Sequence, residues 1–302
     1  MTETLVEKLE SSFLTLEITP PKSTDFSKTL DAVKAVKALS QIDGLTITDN
    51  PLAKLKYSSV LASVKAQGEL NKPVICTVSM RDKNKLAMQS ELLGLNDFGV
   101  RGVLALTGDP ARLSDQPNVK GVFECDSSQL LRAIRLFNEG VDFAGKAITP
   151  KPAPMYAFSV TNSYAKNFSN IKKKLHKKIE NYSLGVITQP VFDEAIAQKL
   201  LNIFDETRME FDDERREAKL IFGVFPITSL KTAQFLYAHV PGIFVPESFI
   251  DAMFKASKIS PQEEYKVGME ISKDIYTKAK AINPRIHLMC ANKFSILDEL
   301  LD

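Results

Sequence analysis

Glu17 is the first group in this chain placed to do chemistry, because it interrupts the apolar run Phe13-Leu14-Thr15-Leu16-Glu17-Ile18 just ahead of Pro20 and Pro21. Apolar surroundings disfavour the charged form of a carboxyl group, which is how proteins make general acids. A second carboxylate, Asp109, lies in the turn Thr107-Gly108-Asp109-Pro110 that ends the run Gly102-Val103-Leu104-Ala105-Leu106. Asp-Pro is also ordinary turn chemistry, so spacing alone weighs a ligand contact and a bare turn about equally. Gly108 leaves room for the backbone to approach a flat or phosphorylated ligand. Gln189 ends another apolar run and offers both a donor and an acceptor, which suits a heterocycle, although Gln189-Pro190 also serves simply to stop a strand.

Ile171, Leu175 and Ile179 recur at a spacing of four among Lys172, Lys173, Lys174, Lys177 and Lys178, the pattern of an amphipathic helix with a basic face. Such faces are usually just solvated, but a diphosphate at the helix's first turns would give these lysines a specific partner. His176, His239 and His287 have no metal-ligand spacing and read as core or surface residues. There is no Gly-x-Gly-x-x-Gly after a strand and no Gly-Lys-Ser phosphate loop, so any nucleotide is expected outside a doubly wound sheet. Cys76, Cys125 and Cys290 are odd in number and far apart, against a disulfide framework and for a reducing compartment. A formal net charge of +2 argues against a nucleic-acid surface. Neither a secretory leader nor a membrane span is legible, so the protein is expected in the cytoplasm.

These residues are scattered in sequence, and what gathers them is the alternation of elements. Eight short apolar runs, at 13–19, 44–48, 73–79, 102–107, 155–161, 184–189, 220–225 and 286–290, end in polar residues. Unbroken apolar runs read as strands buried on both faces, as in parallel sheets. Helical patterns lie between them, at 29–39, 84–98, from the Asp126-Ser127-Ser128 cap to Gly140, and at 260–282. Strand, crossover helix and strand repeated in this way predict an α/β fold, a (β/α)8 TIM barrel. Residues 1–302 are read as a single domain, with extra helices between strands 7 and 8 and a surface loop at 147–154 on the opposite end of the barrel. The C-terminal strand ends would then bring together Glu17, Thr48, Asp49, Ser79, Thr107, Asp109, Asn162, Gln189 and Asn292.

Five ordered segments of this chain resemble the methylenetetrahydrofolate reductase family. They are Leu16-Glu17-Ile18-Thr19-Pro20-Pro21-Lys22, the stretch from Arg81 to Ser90, Ala105-Leu106-Thr107-Gly108-Asp109-Pro110, Ile187-Thr188-Gln189-Pro190-Val191-Phe192-Asp193, and Gly223-Val224-Phe225-Pro226-Ile227. The Thr-Gly-Asp-Pro form, followed by Asp115-Gln116-Pro117, is most similar to the branch sometimes fused to a homocysteine methyltransferase module. The resemblance implies a flavin, FAD or FMN, in the barrel mouth. It implies flavin contacts from Thr48, Thr107, Gly108 and Asp109, from Phe123 in place of a family Tyr, from Thr77 in place of a family His, from Asn162, and from Lys177 and Lys178 near the diphosphate. It also implies Glu17 as general acid, Asp109 as a charge that favours a cationic intermediate, and Gln189 as a folate contact. The implied reaction is ping-pong: NADH or NADPH reduces the flavin, and methylenetetrahydrofolate is then opened and reduced to 5-methyltetrahydrofolate, a step in one-carbon metabolism and methionine biosynthesis.

Thr232 and Leu236 stand where some members carry a Gln and a Phe that touch nicotinamide and folate, and by that resemblance are substrate-side positions. Their altered identity leaves open a protein electron donor, a ferredoxin or iron–sulfur subunit, in place of the nicotinamide. A folate- or flavin-binding barrel without chemistry is the third reading, which retention of Glu17 and Asp109 disfavours. A homo-oligomer is expected on general grounds.

Overall fold

The computed structural model describes every residue except Pro241. Eight parallel strands close into a barrel in sequence order: β1 (Phe13–Ile18), β2 (Gly44–Ile47), β3 (Val74–Ser79), β4 (Gly102–Leu106), β5 (Tyr156–Thr161), β6 (Gly185–Pro190), β7 (Lys219–Val224) and β8 (Arg285–Leu288). Closure is made by β1, whose Thr15 is in register with Gly44 on β2 and with His287 on β8. The (β/α)8 barrel and its strand order are as the sequence implies, with strand ends within one or two residues.

Side chains alternate across each strand, so one set fills the barrel and the other meets the helices. The inner set is apolar at the N-terminal end, where Phe13, Ile75, Leu104, Phe158, Ile187 and Ile221 form one cluster. It turns polar towards the C-terminal end, where β1 presents Thr15 and then Glu17. Leu5 and Leu9 join the lower cluster, so the helix Thr2–Lys8, which the sequence patterns do not reveal, plugs the base of the barrel. The upper end of the barrel is left open.

The helix following β4, Ser127–Glu139, begins and ends as its sequence dictates. Asp126 accepts the N–H groups of Ser128 (2.8 Å) and Gln129 (3.1 Å), Gln129 reaches back in a capping box, and Gly140 closes the helix at φ +90°. The helix expected at 29–39 is instead divided into Ser27–Lys34 and a 3-10 turn, Lys37–Gln41. Val36 is extended there, and the Ala38 N–H is taken by Asp298 Oδ1 at 2.7 Å, so a tertiary contact overrides the periodicity. Between β7 and β8 lie three helices, Leu230–His239, Glu247–Ser257 and Pro261–Ile282. They share their own apolar cluster, which includes Ile227, Leu236, Phe249 and Met253. The loop at 147–154 lies on the side from which β5 begins, away from the strand C-termini. Among the described residues, no helix is long and apolar enough to cross a membrane.

Candidate active site at the barrel mouth

A cavity of about 680 Å3 opens at the C-terminal ends of the strands. It is lined by Glu17 and Thr48 from the first two strands, Thr77 from β3, and the Thr107-Gly108-Asp109 turn. Asn162, Gln189, Lys177 and Lys178 complete the far wall. Leu104, Ile187 and Met289 provide an apolar floor, which strengthens every polar contact made above it.

The strand ends are held by side chains. Asn292 clamps the end of β1, accepting the Thr19 N–H at 2.9 Å and donating to its carbonyl at 2.7 Å, so it serves the frame and does not line the cavity. Asp49 accepts the Ser79 N–H at 3.0 Å and the Lys83 ammonium at 2.7 Å, joining β2 to β3. Burial opposes the charge on Lys83, but Asp49 and Glu91 outweigh it and raise its pKa. Gly108, at φ +94°, packs against Ser79 and Arg81. A Cβ there would lie 2.7 Å from the Arg81 Cβ, so only glycine lets the turn sit this close to β3.

Gln189 is aimed by an irregularity. The register between β6 and β7 shifts between Ile187 and Pro190, and Thr188 fills the gap by accepting the Gly223 N–H at 2.9 Å and donating to the Gln189 carbonyl at 2.7 Å. Bulges of this kind re-aim a side chain at a barrel rim.

Two buried hydroxyls that line the cavity, Thr77 Oγ1 and Thr161 Oγ1, have no hydrogen-bond partner among the described residues. Buried polar atoms are nearly always paired, so these mark where a polar ligand belongs. On the opposite wall, burial lowers the pKa of Lys178 to about 8. Its ammonium contacts the Ser127 hydroxyl, while the nearest carboxylate, Asp126, bonds Lys177 at 2.8 Å. Lys178 is thus a desolvated cation without a contacting anion among the described residues. Free hydroxyls facing the cavity and an unneutralised ammonium at the rim fit a polar, phosphate-bearing ring ligand such as a flavin nucleotide.

Phe123 lies outside the main cavity. Half-exposed, with φ +42°, it lines an adjoining space of about 570 Å3 that shares Thr107, Asp126, Ser128 and Lys177 with the first. Thr232 and Leu236 are not brought to the cavity. Thr232 bonds the cap Ser229 at 2.9 Å, and Leu236, 8% exposed, is buried in the core of the inserted helices. Packing of their helix against its neighbours turns Leu236 inward, while Thr232 stays half-buried in the helix's first turn.

His287 is the site residue that sequence reasoning misses. Without ligand spacing it reads as a core or surface histidine, yet it lines the cavity, with Nε2 3.9 Å from Glu17 Oε2 and Nδ1 2.9 Å from Thr15 Oγ1. Period-two alternation along β8 is the signal that could find it, since Arg285, His287 and Met289 share one face.

The fold and site therefore define a (β/α)8 barrel whose mouth combines an acid on β1 with a glycine-aspartate turn on β4. The chain belongs to the methylenetetrahydrofolate reductase family, whose model matches residues 3–302. No curated protein matches it by sequence comparison. Similar solved structures include an uncharacterized protein from Clostridium thermocellum that binds two copies of 5-methyl-5,6,7,8-tetrahydrofolic acid, with TM-score 0.62, 15% identity, and coverage of 99% of this chain and 98% of that one. An F420-dependent secondary alcohol dehydrogenase in complex with an F420-acetone adduct aligns with TM-score 0.59 at 10% identity, over 96% of this chain and 98% of that one. DmoA from Hyphomicrobium sulfonivorans aligns with TM-score 0.57 at 9% identity, over 96% and 86%. At these identities the structures speak for the fold alone.

Proposed function

We propose that this protein reduces 5,10-methylenetetrahydrofolate to 5-methyltetrahydrofolate with NADH or NADPH, using a bound flavin, FAD or FMN. The observation that carries the reading is a single cavity lined by Glu17, the Thr107-Gly108-Asp109 turn and the unpartnered Thr77 hydroxyl, in a chain of this family.

Bound there, a flavin supplies the hydride carrier between nicotinamide and folate. Lys178, with Lys177 beside it, would hold the phosphate portion, Thr48 and Thr77 would bond ring heteroatoms, and the Gly108 turn, held close to β3, would present its backbone to the ring. Gln189 would orient the folate ring through its donor and acceptor. Glu17 gives its carboxyl proton to the folate nitrogen that leaves when the five-membered ring opens, so the C–N bond breaks to a neutral amine. The resulting cationic carbon centre is favoured by the charge of Asp109. Leu104, Ile187 and Met289 keep water from the reacting face.

The test is to purify the protein, identify any released cofactor by mass, reconstitute with FAD or FMN, and follow methylenetetrahydrofolate reduction anaerobically. Flavin absorbance that bleaches with NADH or NADPH and returns on adding the folate is expected. Failure to bind either flavin would exclude the proposal. One observation favours a second electron source: Thr232 is bonded to its helix cap, Leu236 is buried among the inserted helices, and neither lines the cavity. A flavin that binds, stays oxidised with both nicotinamides and accepts electrons from reduced ferredoxin would establish that alternative.

A further inference from the structure

Glu17 faces a physical difficulty in the proposed reaction, because it becomes a carboxylate above an apolar floor each time it gives up its proton. Its side chain is 26% exposed, and a half-buried carboxylate is steadied by a donor beside it. His287 is the neighbouring group positioned to relieve this.

Its ring, 2% exposed, stands on β8 beside Glu17 on β1. Thr15, fully buried, has its hydroxyl 2.9 Å from Nδ1, the one hydrogen bond of that hydroxyl among the described residues. A hydroxyl has a single proton to donate, so Thr15 is satisfied as a donor when Nδ1 accepts it. The ring proton then resides on Nε2, the nitrogen that faces Glu17 Oε2 at 3.9 Å. This gap exceeds a hydrogen bond by about 1 Å, a distance that rotation of the Glu17 side chain can close. Cys290 also lies close enough to feel the charge of Glu17, but burial pushes its thiol up to about 12, so it stays neutral and cannot take this part.

We infer that Thr15 and His287 form a positioning pair for Glu17: Thr15 fixes the imidazole as its Nε2–H tautomer, and His287 donates to the Glu17 carboxylate once the proton has left. The inference deepens the reading of Glu17 as the acid and rests on it for its catalytic consequence. The tautomer itself does not depend on that reading.

The first experiment is therefore nitrogen-15 NMR of the purified protein. The chain has 3 histidines, so the His287 signals are assigned by their loss in His287→Gln. An Nε2–H tautomer that becomes mixed in Thr15→Val and returns in Thr15→Ser is expected. An Nδ1–H tautomer in the unmutated protein, or a tautomer indifferent to Thr15→Val, overturns the inference whatever the activity proves to be. The kinetic arm measures both half-reactions. Thr15→Val and His287→Leu should leave flavin reduction within about twofold while lowering kcat of the folate half-reaction by about tenfold or more, with KM for folate little changed. Adding His287→Leu to Glu17→Gln should produce no further loss, since the pair acts only through Glu17. Full folate kcat in both Thr15→Val and His287→Leu contradicts the positioning role. Absence of folate turnover in the unmutated protein would instead sink the functional proposal, and the NMR spectra would still decide the tautomer.

Discussion

Asp109 Oδ2 accepts the backbone N–H of Leu52 at 2.7 Å, tying the turn after β4 to the turn after β2 at the lip of the cavity. The tied segment is strained: Asn50, Leu52 and Ala53 all have left-handed φ values, of 43°, 56° and 57°. Such backbone persists in non-glycine residues only where the surroundings over-determine it, at roughly 1–3 kcal/mol each. Three further contacts do so here. Arg81 Nη1 donates to the Asn50 carbonyl at 3.2 Å, Asp115 accepts the Leu55 N–H at 3.2 Å, and the Asn50 side chain accepts the Lys56 N–H at 2.8 Å. Asp109 is thus both a charge facing the site and a latch on its rim.

Separating those two parts is straightforward with a pair of variants. Asp109→Asn retains an acceptor oxygen and loses the charge, whereas Asp109→Ala loses both. Hydrogen exchange of the segment around Leu52 should stay protected in Asp109→Asn and accelerate by about fivefold in Asp109→Ala, the loss of roughly 1 kcal/mol of local stability. Folate turnover should fall in both. Unchanged protection in Asp109→Ala would mean that Arg81 and Asp115 hold the turn without it.

Lys178 makes the protein's stability and its affinity for anions respond to pH in a defined window. Burial lowers its pKa from the usual 10.5 to about 8. Between those values the unfolded chain binds more protons than the folded one, so this group's contribution to stability rises with pH from 8 to 10.5. Below pH 8 the folded protein carries the full penalty of a buried charge. Lys178→Met should accordingly be the more stable protein at pH 7 by chemical denaturation, with a flatter profile above pH 8. A phosphate-bearing ligand favours the charged ammonium, so above pH 8 binding should take up a proton and weaken as pH rises. Calorimetry in buffers of different ionisation enthalpy reads that uptake directly. No proton uptake on flavin nucleotide binding would move the phosphate site away from Lys178.

Much of this arrangement can be read in the sequence, for physical reasons that also explain what escapes. Parallel strands buried on both faces leave unbroken apolar runs, so eight of them announce a barrel, and their polar ends place Glu17, Thr107, Asp109 and Gln189 on one rim. Local chemistry is equally legible where a cap is local, as at Asp126 and Gly140. What depends on distant partners is not. The break at Val36 follows from Asp298, the plug formed by Leu5 requires the barrel base to exist, and Leu236 turns inward because helices elsewhere in the insertion cover it. His287 is hidden because a lone histidine carries no spacing signal, and its meaning comes from Thr15 and Glu17 at the far end of the chain.

The plug gives a check on the division of labour between the two ends of the barrel. Leu5, 1% exposed, packs in the lower cluster with Phe13 and Ile75. Leu5→Ala should destabilise the fold by about 2–5 kcal/mol in denaturant unfolding, as buried leucine truncations do. Flavin affinity should be unchanged, because the cavity opens at the other end. A large loss of affinity with intact stability would contradict this separation.

The central claim is that Glu17 supplies the proton for the folate step and for no other. Anaerobic stopped-flow measurement of the two half-reactions in Glu17→Gln tests it most directly. Flavin reduction should proceed at the rate of the unmutated protein, while reoxidation by methylenetetrahydrofolate slows by about a hundredfold or more, the usual contribution of a general acid. Reoxidation at the unmutated rate would contradict the account and assign the proton transfer to another group.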